Sequence, residues 1–311
     1  MKTLFRETNA YKLIAADALR GTLSQSMLVL FSDGVYLRPL LKECAKAFFG
    51  AGDGTRLASL IDNESYADCL TYPSDGGKLT ADDAAKLIDE SLLRPVEGDK
   101  KLFVLDGFQK TTALVQNKLL KILEEPPAGV YFLIGATAEH AVLPTVLSRM
   151  KKFAVAPFGE RAIADALTRK YGVLDGAQEA AAACGGVFSL AEQLLSGGGE
   201  SFRLAEQFLL GTDTETFCRT ADKLDKTAFF ASLNLLLRDM LFYRTGQAQY
   251  AADKRACRLA ETFPEGAIIA SLERVREAEK QIQFNANLGQ CLYALAIGMR
   301  EEKQKWQKLS S

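Results

Sequence analysis

Asn117-Lys-Leu-Leu-Lys-Ile-Leu-Glu-Glu-Pro-Pro127 is the stretch from which the fold can be read. Val115, Leu119, Ile122 and Leu123 recur at helical spacing, which predicts a helix over about Thr112 to Glu125. Pro126-Pro127 ends it, because proline lacks an N–H and its ring clashes one turn back. Val130-Tyr-Phe-Leu-Ile134 follows as an apolar strand, and Ser148-Arg149 stands a little further on. Upstream, Lys101-Leu-Phe-Val-Leu105 is a second apolar run, closed by Asp106-Gly107. Strand, helix and strand of these lengths imply right-handed crossovers in a mostly parallel sheet.

The same alternation extends outward. Met27-Leu-Val-Leu-Phe31 reads as a buried strand and Ser32-Asp-Gly-Val35 as a turn. Leu37 to Phe49 reads as a helix with Leu40, Leu41, Cys44, Ala45 and Phe48 on one side, ended by Gly50, Gly52 and Gly54. Cys69-Leu-Thr-Tyr72 is a short strand. Thr80-Ala-Asp-Asp83 is a helix start, with a capping hydroxyl and acids at the positive end of the dipole. That helix is expected to run to Arg94, before Pro95. Phe153 to Ala156 is the last expected strand. After Pro157 only helices are expected: Arg161–Lys170, Ala177–Ala183 and Ser189–Leu195, then Gly197-Gly-Gly199 as a linker. Longer helices follow at Ala228–Tyr243, Ala267–Gln283 and Leu288–Glu302. Phe229, Phe230, Leu233, Leu235, Leu236 and Leu237 make the first of these too apolar all round for a surface helix, so it belongs inside a bundle or at a subunit contact. The expected organisation is an α/β domain over residues 1–157, a small helical domain over 158–199 and an all-α domain over 200–311.

The chain has 311 residues and a formal net charge of −1, which excludes a wholly basic nucleic-acid coat but not a local basic face. No stretch approaches the ~20 apolar residues of a membrane span, so a cytoplasmic protein with no membrane partner is expected. Cys44, Cys69, Cys184, Cys218, Cys257 and Cys291 are scattered, with no CxxC pair. Plain thiols and no zinc are expected. His140, the single histidine, reads as a surface residue.

One site has the right place and the wrong residues. A phosphate-binding loop needs glycines, a lysine for the outer phosphates and a Ser or Thr for magnesium. Between the first core strand and its helix the chain reads Phe31-Ser-Asp-Gly-Val-Tyr-Leu-Arg-Pro39. Of that pattern only Gly34 remains, with Ser32 and Asp33 before it. Leu37 and Arg38 stand where the lysine and hydroxyl belong; a slip of one position would offer Arg38 as a cation. Pro39 removes a backbone donor, and Asp33 would repel phosphate. Asp106 stands where an acid steadies magnesium, but the following acid, which would activate water, is Gly107. No ATP hydrolysis is expected.

The combination Asn117–Pro127, Tyr131-Phe-Leu-Ile134, Ala136-Thr137 and Leu143-Pro-Thr-Val-Leu-Ser-Arg149 resembles the bacterial DNA polymerase III clamp-loader AAA+ family, most of all its delta-prime members. The resemblance implies an AAA+ α/β domain, a helical lid and a helical collar. It implies a five-subunit ring with gamma/tau ATPase and delta subunits, which opens a sliding clamp and loads it onto primer–template DNA. It also implies a subunit without its own ATPase, as Leu37, Arg38 and Gly107 would require. Arg149 would be a trans-acting arginine finger for a neighbouring ATPase subunit, with Ser148 shaping the turn. Lys118 and Lys121 are candidate DNA contacts, or a solvated face with Lys121 pairing to Glu125. Glu124-Glu125 reads as structural.

The chain departs from the family pattern in three places. No cysteine lies between Ala51 and Ala67, where many relatives hold zinc. Met150 replaces the cysteine of Ser-Arg-Cys. Phe188 stands near the position of the nucleotide-sensing lid arginine. The alternatives are an active gamma/tau-like ATPase subunit, for which a lysine in Ser32–Pro39 would be the mark, a docking module outside the clamp loader, and the delta subunit.

Overall fold

In the first unit, Met1–Pro157, apolar runs too short to be helices assemble into a five-stranded parallel sheet. The computed structural model describes residues 1–172, 176–196, 199–211, 214–219, 221 and 224–310, and divides at Pro157 into two compact units. The first unit runs α1 (Lys2–Arg6), α2 (Asn9–Arg20), β1 (Ser26–Leu30), α3 (Leu37–Phe48), α4 (Arg56–Asp62) and β2 (Cys69–Tyr72). It continues through α5 (Ala81–Ser91), β3 (Lys101–Leu105), α6 (Ala113–Glu124), β4 (Val130–Ala136), α7 (Pro144–Leu147) and β5 (Lys151–Ala154).

The strand order is β2-β3-β4-β1-β5. β1 lies between β4 and β5, with Leu28 opposite Ile134 and Val29 opposite Phe153. Every residue of β3 is buried, as expected of a parallel strand covered on both faces. Gly135 in β4 permits the close approach of α3: a β-carbon there would come within 2.6 Å of Leu41 Cδ1 and 3.0 Å of Leu37 Cδ1. Thr80 caps α5 in a complete capping box with Asp83.

In this unit two expectations shift. β5 covers Lys151–Ala154 rather than Phe153–Ala156, because its first residues are exposed lysines that apolarity could not mark. They pair with Asp17 at 2.6 Å and Glu139 at 2.7 Å. The helix expected to reach Arg94 ends at Ser91.

α3 also buries charge. Glu43 is 3% and Lys46 2% exposed. Lys46 Nζ donates to Glu43 Oε1 at 2.5 Å and Asp62 Oδ1 at 2.8 Å. Burial pulls the ammonium down, but its hydrogen bonds to Asp62 and Glu43 hold its pKa above the usual value. Arg6 reaches Glu43 at 3.0 Å and takes both carboxylate oxygens of Asp53 at 2.6 Å. That guanidinium holds the Asp53 carboxyl down at about 2. The cluster fastens α1 and α4 to α3.

The second unit is helical throughout its described elements: α8 (Glu160–Tyr171), α9 (Ala177–Ala183), α10 (Phe188–Ser196), α11 (Glu200–Leu210), α12 (Thr214–Arg219), α13 (Lys226–Arg244), α14 (Arg255–Thr262), α15 (Glu265–Gln283) and α16 (Leu288–Ser310). α13 forms the centre of its core: Phe229, Phe230, Leu233, Leu235, Leu236 and Leu237 are all buried. Phe208 meets Phe229 edge-on, with centroids 5.6 Å apart. Asp239, fully buried, accepts from the Ala252 and Asp253 amides at 2.7 and 2.8 Å and so fixes the entry to α14. Gly197 and Gly198 of the expected linker lie outside the described residues; Gly199 precedes α11 in the left-handed region.

Removing one member of a buried ion cluster leaves the others uncompensated. Lys46→Ala is expected to destabilise the first unit by about 3 kcal/mol in urea unfolding. Lys42→Ala, whose partly exposed ammonium contacts Glu64, should cost less than about 1 kcal/mol.

Candidate functional site: a filled phosphate loop and a tethered arginine

Crevices at the carboxyl ends of parallel strands are where such sheets bind ligands. Here that edge gathers the loop after β1, Asp106-Gly107 after β3 and Thr137 after β4. The positive end of α3 already faces an anion: Asp33, 1% exposed, accepts the Tyr36 amide on Oδ1 at 3.2 Å. Pro39 has no amide proton to offer, and Tyr36 caps nothing with its side chain. Leu37 is 1% exposed and packs toward Gly135, so the position a lysine would need belongs to the core. Gly34 is exposed, with Thr137 Cγ2 at 3.4 Å from where its β-carbon would be. Ser32 is exposed as well.

The register slip that would free Arg38 for phosphate meets an engaged side chain. Arg38 donates from Nε to Glu64 Oε1 at 2.7 Å, from Nη2 to Glu64 Oε2 at 2.5 Å, and from Nη1 to the Pro73 carbonyl at 3.2 Å. The Glu64 hydrogen bonds raise its pKa above the usual value. Burial pushes the Asp106 carboxyl up, although Arg38 and Lys110 pull against it. Gly107 has φ 65°, a left-handed conformation in which an acidic residue would be strained. An acid restored at this position would carry that backbone strain, on the order of 1 kcal/mol.

Arg149 stands on a rigid mount. α7 is a single turn that begins with Pro144 and buries Val146 completely. Ser148 closes it, with its Oγ donating to the Thr145 carbonyl at 3.1 Å. Gln116 holds this turn against α6. Buried on α6, it donates to the Thr111 and Ala141 carbonyls at 3.0 and 3.1 Å and accepts the Leu143 amide at 2.8 Å. Sequence reasoning missed Gln116; the available signal was an amide side chain beside Val115 on the buried side of the helix.

The Arg149 side chain is 29% exposed and folded back. Its Nε and Nη2 lie 2.9 and 2.8 Å from Glu124 Oε2, and Nη1 donates to the Thr145 carbonyl at 2.7 Å. Glu124 thus has a structural partner 25 residues away. Lys118 and Lys121 are exposed, and Lys118 Nζ donates to the Ala81 carbonyl at 3.0 Å.

Phe188 is fully buried and His140 is exposed. Cys44 and Cys69 are buried, and desolvation pushes each thiol up to about 12. Among the described residues no group of three or more His, Cys, Asp and Glu side chains is placed to hold a metal ion. No described helix is long and apolar enough to cross a membrane.

Residues 6–159 match the family model described as DNA polymerase III, delta subunit. The chain is 38% identical over 80 residues to the DNA polymerase III subunit gamma/tau of Mycobacterium tuberculosis (strain ATCC 25618 / H37Rv), covering 26% of this chain and 13% of that one. It is 27% identical over 129 residues to the DNA polymerase III subunit delta' of Bacillus subtilis (strain 168), covering 40% of this chain and 39% of that one. Both matches span well under two thirds of the relative's length. Among solved structures, a DNA polymerase III gamma subunit-related protein from Thermotoga maritima aligns over 95% of this chain and 100% of its own, with 17% identity and a TM-score of 0.44.

The half-buried Asp106 gives a pH prediction. A carboxyl whose folded pKa is raised favours the fold below its unfolded pKa, and that contribution is lost as pH rises through the folded value. At neutral pH the charged Asp106 therefore costs stability. Asp106→Asn should raise the urea midpoint at pH 7, with the gain shrinking toward zero as pH falls below the ordinary Asp range of about 4.

Proposed function

Because this chain belongs to the DNA polymerase III clamp-loader AAA+ family, we propose that it is a non-catalytic, delta-prime-like subunit of the clamp loader. It joins gamma/tau ATPase and delta subunits in a five-subunit ring that loads the sliding clamp onto primed DNA in the cytoplasm. Residues 158–199 serve as its lid and residues 200–311 as its collar. It needs no zinc and hydrolyses no ATP. Lys118 and Lys121 face DNA phosphates within the ring.

The observation that carries this reading is the filled phosphate loop. Leu37 is committed to the core, Arg38 to Glu64, and Asp33 lies at the helix end that a phosphate would use. A ligand bearing several negative charges would meet a carboxylate there and no available cation in the first turn. Arg149, at the end of α7, is the guanidinium the chain can offer to a neighbour's nucleotide, where such a group neutralises charge developing on the transferring phosphoryl.

The gamma/tau-like alternative is favoured by the 38% identity over 80 residues, but it requires a working loop where Leu37 and Gly107 stand.

Reconstitution with the partner subunits tests the proposal through clamp- and DNA-stimulated ATP turnover. The chain alone is expected to be inert. A ring carrying Arg149→Ala, shown by size-exclusion to assemble, is expected to lose on the order of tenfold or more, within the span of other arginine fingers. Failure of the wild-type chain to enter the ring would leave the docking-module reading. An assembled mutant ring with unchanged turnover would remove Arg149 from the mechanism.

A further inference from the structure

Glu124 and Glu125 close α6, directly before two prolines. A helix C-terminus carries partial negative charge and favours cations, so paired acids there are locally unfavourable. Arg149 offsets the first of them. Its guanidinium places Nε and Nη2 on one oxygen of Glu124, at 2.9 and 2.8 Å, and Nη1 on the Thr145 carbonyl at 2.7 Å. Three nitrogens are thereby engaged within the chain, and the charge that a phosphoryl group would draw on is balanced by a carboxylate.

The mount beneath does not need to move for this to change. Val146 is fully buried and Gln116 fixes the approach to α7, whereas the Glu124 side chain is 54% exposed. Opening the pair takes rotation of two side chains. An exposed ion pair is weak, so a multiply charged phosphate can displace the carboxylate.

We propose that Glu124 restrains Arg149 in cis: the pair is closed in the isolated subunit and opens when the nucleotide phosphates of a neighbouring subunit compete for the guanidinium. This rests on the reading of Arg149 as a trans-acting group. The restraint keeps a strong cation from binding other anions before the ring assembles. It also makes engagement conditional on a triphosphate in the adjoining site.

Four rings separate the possibilities: wild type, Glu124→Gln, Arg149→Ala and the double substitution, each checked for assembly and assayed at saturating ATP with clamp and primed DNA. Glu124→Gln is expected to raise turnover about two- to fivefold, the span of a weak surface pair. It should do nothing in the Arg149→Ala background. Glu124→Asp, which keeps the charge, should stay near wild type.

If Arg149→Ala lowers turnover while Glu124→Gln leaves it unchanged or lowers it, the restraint is overturned and the arginine's role stands. If Arg149→Ala changes nothing in an assembled ring, both fall. A measurement on the free chain does not depend on assembly. The Arg149 Nε–H NMR signal, assigned by its absence in Arg149→Lys, should be protected from exchange in wild type and lose that protection in Glu124→Gln. An unprotected signal in wild type would overturn the closed pair.

Discussion

Helix α3 is held by charge along its length, and the reading of this molecule depends on that constraint. Asp33 accepts an amide at its amino end, Arg38 is locked to Glu64 in its first turn, and Lys46 is locked to Glu43 and Asp62 in its last. In a nucleotide-binding version of this fold the amino end of the equivalent helix must be open to an external anion. Here it faces an internal one. At that end the one cation of the first turn, Arg38, is held by Glu64, while the pairing that fastens α4 to α3 lies at the other end of the helix.

The consequence for the sheet is geometric. Gly135 in β4 lets α3 lie close, and Leu37 and Leu41 fill that space. A lysine at position 37 would need to leave the core. After the neighbouring strand β3, Gly107 takes a left-handed backbone conformation, which glycine adopts without the strain a side chain would bring. Packing at Leu37 and backbone conformation at Gly107 thus add to side-chain identity at these two positions. The same unit carries Arg149 on a mount made rigid by Val146 and Gln116.

Much of this was legible in the sequence, and the gaps have physical reasons. β1, β3 and β4 were readable because strands buried on both faces are continuous apolar runs. α6 was readable from its period and from the two prolines that end it, and α13 from being apolar all round. β5 was misplaced because an edge strand tolerates Lys151 and Lys152 at its start. α1, α2 and α4 were not assigned; two of them are short, and α1 is fixed in part through Arg6, whose partners lie 37 and 47 residues away. Arg149 was singled out by its motif, but its partner Glu124 was not read from the sequence. Glu124 is 25 residues away, and only the parallel sheet brings the end of α6 beside the end of α7. Gln116 escaped for the same reason: its three bonds reach into loops that no periodicity describes.

The most direct test of the account is an electron cryo-microscopy structure of the reconstituted ring on primed DNA, trapped with a transition-state analogue of ATP hydrolysis. The account predicts an empty loop between β1 and α3 in this chain. It also predicts Arg149 turned away from Glu124, within about 3 Å of the analogue in the adjoining subunit. Nucleotide bound in this chain's own loop, with Arg149 still on Glu124, would contradict it.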